Sequence, residues 1–303
     1  MFLQQLINGL TVGSIYALIA LGYTMVYGVL EFINFAHGEI YMLGAYLAII
    51  ALGFLSQWGM SGWVGASVLV LLFAMIVAAA YGATIERVAY RPLRQAPRLS
   101  PLISALGVSI FLQNFVMLTQ GARDRVFHRE QLFSAAFSSG GCSFRDCQVS
   151  YIQLMIMATA LLLMLGLAFF ISHTRTGRAM RAVAQDPKMA RLCGVNVDSI
   201  IRLTFIIGSA LGAAAGVLVA LYYGLVNFYI GYVAGLKAFI AAVVGGIGSI
   251  PGAMLGGLLL GLAESLGAGY LSAQYKDVYA FIILILVLLL RPQGILGRKE
   301  DRS

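Results

Sequence analysis

Charged and hydrogen-bonding side chains are so sparse in this chain that those set within apolar sequence stand out as the groups able to do chemistry. Glu31, Asn34, His37 and Glu39 lie close together in LEFINFAHGEIYMLGAY. On a helix, groups three or four positions apart share a face, so this set could line a solute path or relay a proton. It could instead form an interfacial turn between one long apolar run and a shorter second one, and the flanking runs favour that reading. Lys237 and Glu264 are likewise embedded in apolar sequence. Charge in lipid is costly, so they should face a polar cavity, a partner or each other, unless both snorkel to the surface from helix ends.

Nothing assembles these groups into a catalytic signature. There is no Gly-Lys dipeptide and hence no phosphate-cradling Walker A loop, no HExxH pair and no GxSxG nucleophile elbow. His37, His128 and His173 are scattered over three regions. No catalytic residue, metal site or cofactor bound by this chain is expected. Cys142 and Cys147 bracket SFRD, which is too few ligands for a metal. They could close a small disulfide turn in an oxidising compartment, or remain two unpaired loop cysteines.

The elements that must carry these residues are apolar helices. Of 303 residues, 60% are hydrophobic and only 11% charged, and the mean hydropathy is +0.90; a soluble domain carries about a quarter charged residues. The fold class expected is an all-α polytopic integral membrane protein, with a single transmembrane domain over residues 1–303. The net charge of +8 sits in short connecting segments, where it orients the chain and gives no reason to invoke nucleic acid. Residues 1–86 hold no Lys or Arg, so the first apolar run lacks a basic leader and is expected to stay in the mature protein.

Runs of membrane-spanning length cover residues 6–29, 63–85, 99–118, 151–171 and 203–223, with shorter runs at 40–55, 238–244, 253–266 and 279–290. They predict roughly eight transmembrane helices, some short or broken. VVGGIGSIPGAMLGGLLLG would break any one long helix, so two shorter ones joined by a glycine-rich turn are expected there. Gly208, Gly212 and Gly216 recur at four-residue spacing, as do Gly252 with Gly256 and Gly257 with Gly261. These are seams for close helix packing first, and a solute path beside them second.

The most basic connection, residues 173–202, reads HTRTGRAMRAVAQDPKMARLCGVNVDSIIR. Arg175, Arg178, Arg181, Lys188, Arg191 and Arg202 outweigh Asp186 and Asp198, which places it in the cytoplasm by the positive-inside bias. Asp186 can cap a helix, Pro187 suits its first position and Gly194 the residue past its end, so a two-turn docking helix is predicted over 187–193. One crossing on each side then puts the loop 120–150 on the opposite, periplasmic or extracellular, face. Cys193, in the cytoplasmic helix, is expected to be a free thiol. The C-terminal RPQGILGRKEDR is expected in the cytoplasm. If 40–55 crosses fully the N-terminus lies outside, and if it re-enters the N-terminus lies inside.

Four segments now point to a family: GVLEFINFAHGEIYMLGAY, RAVAQDPKMARLCGVNVDSI, YYGLVNFYIGYVAGLKAFIAAVVGGIGSIPGAMLGGLLLGLAESL and QYKDVYAFIILILVLLLRPQGILGR. In this order they resemble those of the bacterial branched-chain amino-acid ABC importer permeases, most closely the H-type subunits (LivH- or BraD-like), over essentially the whole chain. The resemblance implies the ABC importer permease fold, a place in the bacterial inner membrane, and ATP-driven uptake of leucine, isoleucine and valine. It also implies partners: a second, LivM-like permease, two ATPase subunits (LivG-like and LivF-like) that hold ATP and Mg, and a periplasmic amino-acid-binding protein. The docking helix would be the coupling helix, with Asp186 and Pro187 fixing its start, Met189 and Leu192 as apolar knobs, Lys188 and Arg191 at the rim, and Gly194 at the exit. Of the general permease motif, EAA with glycine four residues on, only Ala190 and Gly194 remain, with Lys188 and Met189 in the first two places. Asn34, His37, Tyr222, Tyr223 and Asn227 are the candidate path residues. The rival reading is an ion-coupled secondary transporter or channel for small solutes, with Glu31, His37, Lys237 and Glu264 as coupling residues. Dependence on ATP or on an ion gradient separates the two.

Overall fold

Eight helices in the computed structural model are long and apolar enough to cross a membrane, among the described residues 1–30, 32–59, 64–94, 96–97, 99–133, 140–144 and 147–297. In chain order the helices are α1 (Phe2–Leu30), α2 (Ala36–Gln57), α3 (Val64–Ile85), α4 (Leu99–Gln120), α5 (Tyr151–His173), α6 (Arg175–Gln185), α7 (Pro187–Leu192), α8 (Val197–Tyr223), α9 (Ile230–Gly245), α10 (Ile250–Tyr270) and α11 (Lys276–Leu290). A π turn (Glu86–Tyr90) and a 3-10 turn (Arg91–Leu93) extend α3. Strands are minor: β1 (Arg125–Val126) pairs antiparallel with β4 (Leu225–Val226), and β2 (Gly141–Phe144) with β3 (Cys147–Ser150).

The run at 40–55 is the middle of α2, a full-length helix, while α9 is a shorter one of 16 residues, about 24 Å at 1.5 Å per residue. The break between α9 and α10 falls where the glycines predicted it. Gly246 and Gly248 take φ of 107° and 90°, and Ser249 caps α10 by accepting from Gly252 N at 3.3 Å. Such φ values are open to glycine and strained for other residues.

Helices α1, α2 and α8 form the centre: 89% of the apolar window of α1 is buried, against 22% for α4. Lipid is as apolar as a helix face, so close backbone approach, more than hydrophobicity, drives this packing. The glycine seams supply it. Gly257 and Gly261 of α10 lie against Ala17 and Gly13 of α1, and Gly208, Gly212 and Gly216 of α8 lie against Gly22, the His37 ring and Tyr41.

Contacts at the helix ends sort the connections onto two faces. Gln4 Nε2 donates to Gln148 O at 3.1 Å and Gln148 N donates to Gln4 Oε1 at 3.0 Å, so the start of α1 shares a face with the 120–150 connection. The β1–β4 pair brings the end of α8 there too, and Ser265 Oγ donates to Gln5 O at 2.7 Å from the end of α10. On the other face, Arg94 bonds Asp198 at the start of α8, and Ile295 N and Leu296 N donate to Val244 O and Gly245 O, both at 2.9 Å. Tyr90 Oη donates to Asn34 at 2.5 Å, which puts the start of α2 on this second face. Helix α2 therefore crosses the whole bundle, and of the two topologies open to the sequence the chain adopts the one whose N-terminus lies with the 120–150 connection.

Candidate docking helix and solute cleft

Local capping builds the docking unit. Asp186 Oδ1 accepts from Lys188 N at 2.7 Å and Met189 N at 3.1 Å, and Pro187 fills the first helical position of α7. At the far end Gly194, with φ 83°, donates to Arg191 O at 3.1 Å, while Val195 N donates to Ala190 O at 3.0 Å. That pair of bonds is a Schellman stop, and Cys193 is the capping residue just beyond the helix. Ala190 is buried toward the protein, while Met189 and Leu192 are 60% and 82% exposed. Lys188 and Arg191 are exposed on the same short helix.

Helix α6, which precedes it, was not anticipated. Thr174 Oγ1 accepts from Gly177 N at 3.0 Å to start it, Met180 and Val183 bury one face, and Arg181 donates to Ile171 O. A capping threonine followed by apolar residues three apart was the available signal. Beside this unit, Glu86 is fully buried at the end of α3 and bonds Arg94, which also bonds Asp198; Arg202 Nε lies 3.7 Å from Glu86 Oε2. This ion cluster ties the α3–α4 connection to the first turns of α8.

The polar set around α2 does not converge on one site. Asn34 is buried and closes a local turn ahead of α2, accepting from Ala36 N at 3.1 Å as well as from Tyr90. His37 packs edge-on to Tyr23, ring centroids 4.9 Å apart, with Gly22 and Gly212 beside it. Glu39 Oε1 accepts from Ser109 Oγ at 3.1 Å. Glu31 lies outside the described residues.

A cleft of about 160 Å³ opens between α1, α2, α8 and α9. Its polar lining is Tyr16, Tyr41, Tyr223 and Lys237, and its walls include Val12, Ile15, Val219, Val233 and Ala234. Of the candidate path residues, Tyr223 is on this cleft. Tyr222 stacks edge-on against Tyr223 at 4.9 Å, and Asn227 instead donates to Asp124 Oδ1 at 2.5 Å and accepts from Tyr229 N at 2.8 Å, holding the outer connection. Lys237 and Glu264 face each other in an ion pair. Lys237 Nζ also lies 2.8 Å from Asp277 Oδ1, and Tyr16 Oη donates to Glu264 Oε2 at 2.8 Å. Among the options open to the sequence, Lys237 therefore both pairs with Glu264 and faces a cleft with polar lining, and Asp277 is the member that sequence reasoning missed.

Among the described residues, no three His, Cys, Asp or Glu side chains gather as metal ligands. Cys193 is a free, exposed thiol. In the β2–β3 ladder Cys142 is opposite Val149 and Cys147 opposite Phe144; the side chains of Cys142 and Cys147 lie outside those described.

Comparison with known proteins gives one consistent result. A family model described as branched-chain amino acid transport system, permease component, matches residues 5–288. The chain is 56% identical over 299 residues to the high-affinity branched-chain amino acid transport system permease protein BraD of Pseudomonas aeruginosa, covering 99% of this chain and 97% of that one. It is 53% identical over 302 residues to the permease protein LivH of Escherichia coli K12, covering 99% and 96%. A probable permease of the same name from Methanocaldococcus jannaschii is 27% identical over 293 residues, covering 94% and 89%.

Proposed function

The chain belongs to the branched-chain amino acid transport system permease family, and from that premise we propose that it forms one half of the pore of an ATP-driven ABC importer for leucine, isoleucine and valine. It is a permease subunit and not an enzyme. Hydrolysis of ATP with Mg belongs to separate ATPase subunits, and a periplasmic binding protein presents the amino acid. The finer assignment is a LivM-like second permease beside this chain, with LivG-like and LivF-like ATPases beneath. The chain sits in the bacterial inner membrane, with the 120–150 connection and N-terminus in the periplasm and the 173–202 connection and C-terminus in the cytoplasm.

One observation carries the coupling role. Helix α7 is capped at both ends and turns two large apolar side chains, Met189 and Leu192, outward among cations. A ligand can shift a conformational equilibrium only through its differential affinity for the two states. Nucleotide bound on another chain can therefore act here only through a protein interface, and a rigid helix with an exposed apolar tip is suited to transmit it. Deleting residues 187–193 is expected to abolish copurification of the ATPases while the protein still inserts in the membrane. Normal recovery of ATPases with the deletion variant would overturn this role. Uptake into sealed vesicles by the isolated chain under a proton or sodium gradient would favour the secondary-transporter reading.

A further inference from the structure

The cleft between α1, α2, α8 and α9 has the chemistry of a site for one small zwitterion. Its volume, about 160 Å³, is well below the ~300 Å³ at which pockets for drug-sized ligands begin. Its aliphatic walls come from Val12, Ile15, Val219, Ile230, Val233 and Ala234, and Lys237 and three phenols are its polar lining. An ammonium in a membrane-spanning helix is costly and marks a path or a partner. Lys237 has three N–H donors. Glu264 and Asp277 are its ion-pair partners and the Tyr16 ring centroid lies 5.9 Å from Nζ, so two carboxylates do not exhaust its donors and an oxygen that enters the cleft can take a third. The formal charge of that trio is one cation against two acids. Such a site disfavours a bare anion and accepts a carboxylate that brings its own ammonium.

We propose that this cleft is a passing site for the amino acid, with the Lys237 ammonium as the group that takes its carboxylate, the Tyr41 and Tyr223 phenols as adjustable partners, and the aliphatic wall, with Ala234 at its edge, as the surface that meets the branched side chain. The proposal rests on the permease reading and names its contacts. Glu264, held by Tyr16, and Asp277 are positioning residues that fix the ammonium at the cleft.

The test uses the complete importer, with both permeases, both ATPases and the binding protein, reconstituted in vesicles. ATP-dependent leucine uptake by the unaltered importer tests the permease reading separately. The double variant K237Q/E264Q removes both charges and keeps two groups able to bond each other. If Lys237 takes the carboxylate, this variant assembles with its partners but shows a KM for leucine raised at least about tenfold, the scale of a lost hydrogen bond to a charged group. If the pair is only a structural tie, the double variant transports like the unaltered importer, and the proposal fails. A second measurement stands even if that variant does not assemble. Ala234→Leu narrows the cleft, so uptake of leucine should fall several-fold relative to valine with the same binding protein, since one methylene in an apolar pocket discriminates about tenfold or more. An unchanged leucine-to-valine ratio would overturn the assignment of the wall.

Discussion

Gly194 shows how much a single residue can decide. Its φ of 83° closes α7, and a β-branched side chain there costs about 1–2 kcal/mol. Gly194→Val should therefore loosen the helix stop and lower the ATPase recovered with the protein, while Gly194→Asn, which tolerates this conformation, should retain more; equal recovery from the two would contradict the role. Asp186→Ala should cost about 1 kcal/mol of cap stability, read as weaker ATPase association in a pull-down. Asp186, Pro187 and Gly194 were legible in the sequence because capping is local: the residue and the groups it bonds are neighbours in the chain. For Lys237 the pairing with Glu264 was one option among several and could not be chosen, since Glu264 and Asp277 reach it from two other helices. No local rule ranks pairing against snorkelling, and Asp277 gave no sign of its part. The same limit applies to Asn34 and His37, whose partners Tyr90 and Tyr23 belong to other helices.

At the scale of elements, α7 and the ion cluster make opposite predictions. Met189 and Leu192 are exposed, so Met189→Asp and Leu192→Asp should leave the unfolding temperature of the purified chain nearly unchanged while ATPase association is lost. Arg94→Ala leaves Arg202 as the ion-pair partner of the buried Glu86 among the described residues, and breaking a buried pair costs roughly 3–5 kcal/mol. A clear drop in unfolding temperature is expected, with E86Q/R94A recovering most of it; no drop would show that the cluster holds nothing. The helices themselves were read from apolar runs to within a few residues at most boundaries. The exceptions have physical causes. Helix α9 begins eight residues before the run at 238–244 and α8 six before the run at 203–223, in stretches that carry Lys237 and the polar VDSIIR; α2 begins in the polar stretch AHGE, and α6 is amphipathic, so it resembles a charged loop.

For the whole molecule, span count and glycine-mediated packing were accessible from composition, but the choice of central helices was not. The apolar window of central α1 has a mean hydropathy of 1.6 and that of peripheral α5 has 2.6, so the most apolar helices lie at the periphery and hydropathy misleads about the centre. The crossings of α2 and of the shorter α9, which runs from the β4 side to the side where Val244 and Gly245 meet the C-terminal segment, together put the two termini on opposite faces. Reporters fused at each end should show the N-terminus outside and the C-terminus in the cytoplasm, and two reporters on the same side would refute the arrangement. The short segment after α11 has a practical consequence. Its two backbone hydrogen bonds, donated to the carbonyls of Val244 and Gly245, stitch the tail onto the end of α9, so the amide protons of Ile295 and Leu296 should exchange slowly with heavy water although they lie beyond the last helix. An affinity tag appended after residue 297 would leave those stitches in place; truncation at Gly294 would undo both and fray the turn that reverses the chain between α9 and α10.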